Sequence, residues 1–197
     1  MNKTSNRKEE ILEQALKLTS LYGLEALTIG KLAEGLGMSK SGLFRYFKSK
    51  ENLQVAVLDY AVEQYNQLVI GPSLAEPRGI PRIRALVTHW LVWHSDILPG
   101  GCPFIGGVFE YDDRTGPVKN HLKGLLETYQ DFLAKMAQIA VDEGHFGPQT
   151  DVQQFAYELF SMVFGGYHYI KLLETAEPKP KILASLEGLL ERYQAKR

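Results

Sequence analysis

Residues 28–50 read Thr-Ile-Gly-Lys-Leu-Ala-Glu-Gly-Leu-Gly-Met-Ser-Lys-Ser-Gly-Leu-Phe-Arg-Tyr-Phe-Lys-Ser-Lys and leave this chain few local options. Ile29, Leu32, Ala33 and Leu36 recur at spacings of three and four, so they share one face of a short helix. Thr28 is placed to cap its N-terminus, and Gly37 ends it where a left-handed backbone is wanted. Ser39 caps a second short helix in which Leu43 and Phe47 face inward at i, i+4. Lys40, Ser41, Gly42, Arg45 and Tyr46 are then left outside. The stretch carries Lys31, Lys40, Arg45, Lys48 and Lys50 against a single acid, Glu34.

A short amphipathic helix, a glycine turn and a basic second helix form a helix-turn-helix that can press into the major groove of DNA. Gly42 on an outward face costs about 1 kcal/mol relative to Ala, and makes sense where another surface must come close. Ser49 can cap a further helix from Lys50, whose amide end and cations suit a phosphate. Taken alone, this pattern also fits any helical hairpin with a solvated basic face. Residues 7–23 add context: Ile11, Leu12, Ala15, Leu16, Leu18, Leu21 and Tyr22 make an amphipathic helix ending at Gly23. Leu24, Leu27 and Ile29 staple it to the hairpin.

The segment ILEQALKLTSLYGLEALTIGKLAEGLGMSKSGLFRYFKSKENL, residues 11–53, resembles the DNA-binding domain of the tetracycline-repressor (TetR) family. Tyr-Gly, Thr-x-x-x-Leu-Ala, Leu-Gly and Leu-x-x-x-Phe-x-x-Lys carry the resemblance across the N-terminal three-helix unit. Phe44 departs from it, standing where the family usually has tyrosine; Tyr46 can supply the lost hydroxyl. The resemblance implies a body that holds a ligand pocket and dimerises through its last two long helices. The stretch 100–118, GGCPF to TGPV, resembles a subgroup of the same family.

Charge is divided along the chain. Residues 1–50 carry nine Lys or Arg against five acids, and the remainder thirteen against eighteen. A basic head on an acidic body suits a DNA binder with a separate second task. There is no signal-peptide pattern and no apolar run near 18 residues, which leads to the expectation of a soluble cytoplasmic protein without a membrane partner. One cysteine excludes an internal disulfide and fits a reducing compartment.

The body reads as helical throughout. Helices are expected at 50–70, 81–96, 103–111, 115–144, 151–175 and 180–194, with Pro72, Pro77, Gly79 and Pro81 marking a break. Its aromatics and histidines are the informative part. Trp90, Trp93, His94, Phe104, Phe109, Tyr129, Phe164, Tyr167 and His168 come from separate helical segments and line a candidate small-molecule pocket. Phe132, Phe160 and His89 accompany them, and a plain aromatic core is the alternative reading. Gly106-Gly107 and Gly165-Gly166 lie inside helical segments and leave space beside the backbone.

Sharper chemistry finds little support. Cys102, beside Gly101 and Pro103, is read as a small buried residue before a redox sensor. His89 and His94 share a helix face poorly, so no zinc site is expected, and Asp112-Asp113-Arg114 reads as a solvated loop or a local ion pair. There is no nucleophile elbow, P-loop or dinucleotide fingerprint, so neither catalysis nor a cofactor is expected. The expectation is an all-α chain: a helix-turn-helix DNA-binding domain over residues 1–50 and a helical ligand-binding and dimerisation domain over 51–197. Lys40, Ser41, Gly42 and Arg45 would lie nearest base edges, and Thr28, Tyr46, Lys48 and Lys50 on phosphates. The function expected is a homodimeric, ligand-responsive repressor of a palindromic operator. A DNA-binding regulator without a ligand, or a helical binding protein or enzyme for aromatic compounds, are the alternatives.

Overall fold

A computed structural model describes residues 3–173 and 177–195, with side chains from Arg7 onward. The helices are α1 (Lys3–Tyr22), α2 (Ile29–Gly35), α3 (Lys40–Phe47), α4 (Lys50–Tyr65), α5 (Gly71–Ala75), α6 (Ile80–Val92), α7 (Pro103–Tyr111), α8 (Pro117–Asp142), α9 (Val152–Lys171) and α10 (Pro178–Tyr193). Two π-helical turns, Asn66–Ile70 and Trp93–Ile97, follow α4 and α6. Among the described residues there is no strand, only an isolated bridge between Phe146 and Gln194. Residues 174 and 175, expected in the helix 151–175, lie outside the described residues.

Most helix ends follow from local chemistry. Asp151 accepts from the amides of Gln153 and Gln154 to open α9, and Gly144 (φ 72°) closes the turn after α8. The break expected at Pro72 moves downstream. Pro72 follows directly on the π-helical turn Asn66–Ile70, and the helical path runs on without a break to Ala75. The chain turns instead at Gly79, whose φ of 84° and contact with the His145 imidazole leave no room for a side chain.

The chain forms two compact units, residues 1–64 with 98–124 and residues 65–97 with 125–197. In the first, Ile11, Ala15, Leu24, Leu32, Leu43 and Leu53 are wholly buried. In the second, Ile83, Leu86, Trp93, Ala137, Phe146, Phe155 and Leu190 make the core. The paired glycines serve packing more than open space. A Cβ on Gly166 would meet Ile182 Cδ1 at 2.9 Å, and one on Gly107 would meet Leu122 Cδ2 at 2.8 Å; only Gly165 has open space beside it.

Candidate nucleic-acid interface and aromatic cage

α3 owes its position to two buried side chains and one cap. Leu43 and Phe47 are buried beneath it, and Ser39 Oγ accepts from the Gly42 amide at 3.1 Å. Gly37 takes φ 61° between α2 and α3, and Thr28 Oγ1 accepts from the Lys31 amide at 3.2 Å to open α2. This anchoring turns Lys40, Ser41, Phe44 and Arg45 to solvent, with Gly42 and Tyr46 half-buried beside them. A Cβ on Gly42 would press at 3.1 Å on Ser39 Oγ, the cap that opens α3, so part of the need for glycine there comes from the fold. Lys48 caps α3 at φ 66° and is the one described non-glycine residue with positive φ.

Lys50 is engaged within the fold. Its Nζ lies 2.5 Å from Glu25 Oε1, and Tyr111 Oη donates to Glu25 Oε2 at 3.0 Å, with Arg114 3.2 Å away. The Lys50 hydrogen bond, then those of Tyr111 and the two cations, hold the Glu25 carboxyl below the usual carboxylate range despite some burial. Burial and the Glu25 carboxylate push the Tyr111 phenol well up. Next to it, Glu110 accepts from the amides of Leu24 at 3.0 Å and Glu25 at 2.6 Å. Gly101 N–H donates to the carbonyl of Ser20, and Gly100 N–H to its hydroxyl. Thus α7 and the segment before it hold the end of α1 and the α1–α2 turn. This clamp went unforeseen, because its partners are far apart in sequence.

The second unit gathers part of the expected pocket. Trp90 and His94 ring centres are 4.3 Å apart, His94 and Tyr167 5.1 Å, and Tyr65 and Trp93 5.5 Å. Tyr129 meets Tyr65 through a 2.9 Å hydroxyl contact, and Phe160 neighbours both Tyr129 and Phe164. A cavity of about 10 Å³ lies between Trp90, Tyr129, Phe160 and the aliphatics Leu86, Leu133 and Val163. Trp93 and His94 are essentially inaccessible, yet Trp93 Nε1 and both imidazole nitrogens have no hydrogen-bond partner. Burial, helped by the Lys171 charge, lowers the His94 pKa to about 3, so the ring is neutral. Other expected residues lie elsewhere: Phe104 and Phe109 are on α7 in the first unit, Phe109 largely exposed, and His168 is exposed on α9. Phe160, expected beside these residues, joins the cage, and so does Tyr65, which the sequence did not single out. Cys102 is buried at the N-terminus of α7.

The model for the tetracyclin repressor-like C-terminal domain matches residues 79–186, and that for bacterial regulatory proteins of the tetR family matches residues 11–57. The chain belongs to the TetR family. As a TetR-family protein it is a DNA-binding transcriptional regulator with a helix-turn-helix head. The nucleoid occlusion factor SlmA of Vibrio campbellii is 31% identical over 107 residues, 54% of each chain. The match thus spans about half the length of that curated relative. A TetR regulator from Chloroflexus aurantiacus J-10-FL superposes with a TM-score of 0.87 at 22% identity, covering 98% of both chains. AibR, solved with isovaleryl coenzyme A and operator DNA, superposes at 0.69 with 21% identity, covering 95% of this chain and 98% of its own. No described helix is long and apolar enough to cross a membrane.

Proposed function

We propose that this TetR regulator is a homodimeric repressor that leaves a palindromic operator when a small molecule binds the second unit. The observation that carries the reading is the outward cationic face of α3, fixed by Leu43, Phe47 and the Ser39 cap. Lys40, Ser41, Gly42 and Arg45 read base edges, and Thr28, Tyr46 and Lys48 take phosphates. Lys50 joins them only by giving up Glu25. The two heads of a dimer must stand about 34–36 Å apart to reach successive major grooves.

The clamp on the α1–α2 turn supplies the regulated element. The chain runs directly from the Trp93–Ile97 turn, which carries the cage residues, through Leu98–Cys102 into α7, which carries Glu110 and Tyr111. A ligand that favours one setting of that turn shifts the head between operator-competent and operator-incompetent states, with a coupling of about 1–3 kcal/mol. A neighbour of the same fold was solved with both operator DNA and a small molecule, which supports a body that answers to ligands.

The test is an electrophoretic mobility shift with the protein's own upstream DNA, at about 0.15 M salt with nonspecific competitor. A discrete shift that survives competitor is expected. Loss of the shift, together with a random-sequence selection that returns no palindrome, overturns the reading. The smallness of the cavity favours a second reading, a regulator controlled without a ligand. A metabolite screen that never releases the operator would select it.

A further inference from the structure

We propose that the aromatic cage of the second unit binds a flat, uncharged aromatic molecule bearing a hydrogen-bonding oxygen, with the Trp93 indole N–H and the His94 imidazole as its polar anchors. The proposal rests on the reading of this unit as the effector-binding part, and names the class of effector.

Three observations carry it. Trp93 Nε1, His94 Nδ1 and His94 Nε2 are buried without a partner on two adjacent residues. Buried polar atoms are nearly always satisfied, and exceptions call for a reason. Both residues open a π-helical turn, a rare departure that concentrates where proteins bind ligands. Their surroundings are rings: Trp90 and Tyr167 against His94, Tyr65 against Trp93. Flat rings stack and meet edge to face, so the wall that now receives side-chain rings can receive a ligand ring.

Charge decides the class. No Lys, Arg, Asp or Glu is among the buried residues described, so no fully buried cation or carboxylate is present to pair an ion. The charge that acts on His94 is Lys171, which disfavours a cationic guest. Lys171 is itself engaged by another group, so an anion would leave water for a wall whose one imidazole is neutral. A neutral imidazole offers one donor and one acceptor, and the indole one donor, so a carbonyl or hydroxyl oxygen completes the set. The cavity beside Trp90 holds about one water and is lined by neither Trp93 nor His94, so a ring reaches the two anchors by displacing the half-buried Tyr167 that packs on His94.

The full chain has two tryptophans, Trp90 and Trp93, both in the cage, so its intrinsic emission reads this site alone. Titration calorimetry, with emission followed alongside, compares acetophenone with ethylbenzene, benzoate and benzylammonium, which hold the ring and change only the oxygen or the charge. Acetophenone is expected to bind and shift the emission, with ethylbenzene about tenfold weaker for want of the hydrogen bond, and both ions weaker still. His94→Phe and Trp93→Phe should erase the preference for acetophenone over ethylbenzene, with His94→Gln keeping part of it. Circular dichroism confirms that each variant is folded, and His94→Gln stands in if His94→Phe is not. Ions that match acetophenone, a preference that survives both variants, or no binding of acetophenone at its solubility limit would overturn the proposal. A discrete operator shift with no probe binding sinks this inference and leaves the regulator standing; probe binding with no operator shift and no selected palindrome does the reverse.

Discussion

Lys48 holds a φ of 66° at the end of α3, where glycine or asparagine would sit at lower cost. Strain retained at one position points to a side chain kept for another purpose, here a cation beside the reading helix. Lys48→Gly is therefore expected to raise folding stability by about 0.5–1 kcal/mol in urea titrations. The same variant should weaken operator binding and lower its salt dependence by about one phosphate contact. A variant that binds as tightly as the parent would assign the strain to local packing alone. His94 makes a second residue-scale prediction. Its folded pKa near 3 lies below the ordinary 6.5, so below pH 6.5 the unfolded chain takes up a proton that the native state refuses. Stability is therefore intact above pH 6.5 and falls as pH drops, by about 2 kcal/mol from pH 6.5 to pH 5. His94→Phe should flatten that slope, which urea midpoints at the two pH values would read. At this scale the caps were legible, since Thr28, Ser39, Ser49 and Asp151 each bond an amide two or three residues on. The pairing of Lys50 with Glu25 was not, because it joins residues 25 positions apart.

Glu110 works at the scale of elements, where α7 is attached to the α1–α2 turn by two hydrogen bonds to its amides. A Cβ on Gly23 would also press on that carboxylate, so turn and side chain are fitted to each other. Glu110→Ala leaves the amides of Leu24 and Glu25 without their acceptor and should cost about 1–3 kcal/mol of local stability. Hydrogen exchange at those two amides should quicken by roughly tenfold or more, with Glu110→Gln intermediate. Unchanged exchange would show that other contacts hold the turn. The helices themselves were readable because apolar periodicity and end signals are local properties. The clamp was hidden, because an acid on a helix reads as a solvated charge until its partner, some 86 residues earlier, is in place. The π-helical turns escaped for a related reason: Trp90, Trp93 and His94 keep helical spacing whether the backbone winds α or π. Pro72 misled because the helical path passes through a π-helical turn just before it and continues past a residue that usually breaks a helix.

On the proposed reading the molecule presents two heads to one operator, and the second unit exposes apolar side chains on its last two long helices. α9 exposes Tyr157 at 63% and Tyr169 at 43%, Leu172 and Leu173 just past its end at 72% and 53%, and α10 exposes Leu183 at 37%. Large apolar side chains exposed along two long helices are costly to leave in water, and we propose that they form the dimer surface. The family resemblance legible in residues 11–53 placed dimerisation on the last two long helices, a location that periodicity alone does not supply. The exposed set lies on and just past those helices, and no sequence pattern separates it from an ordinary core face. Tyr157→Glu with Leu172→Glu should dissociate the dimer, since two carboxylates would be buried unpaired on each side. Sedimentation is expected to show a monomer with unchanged helical circular dichroism. Operator affinity should fall at least a hundredfold, because each head then binds alone and the gain from linking two half-sites is lost. A double variant that remains dimeric and shifts the operator normally would move the interface to another face of the molecule.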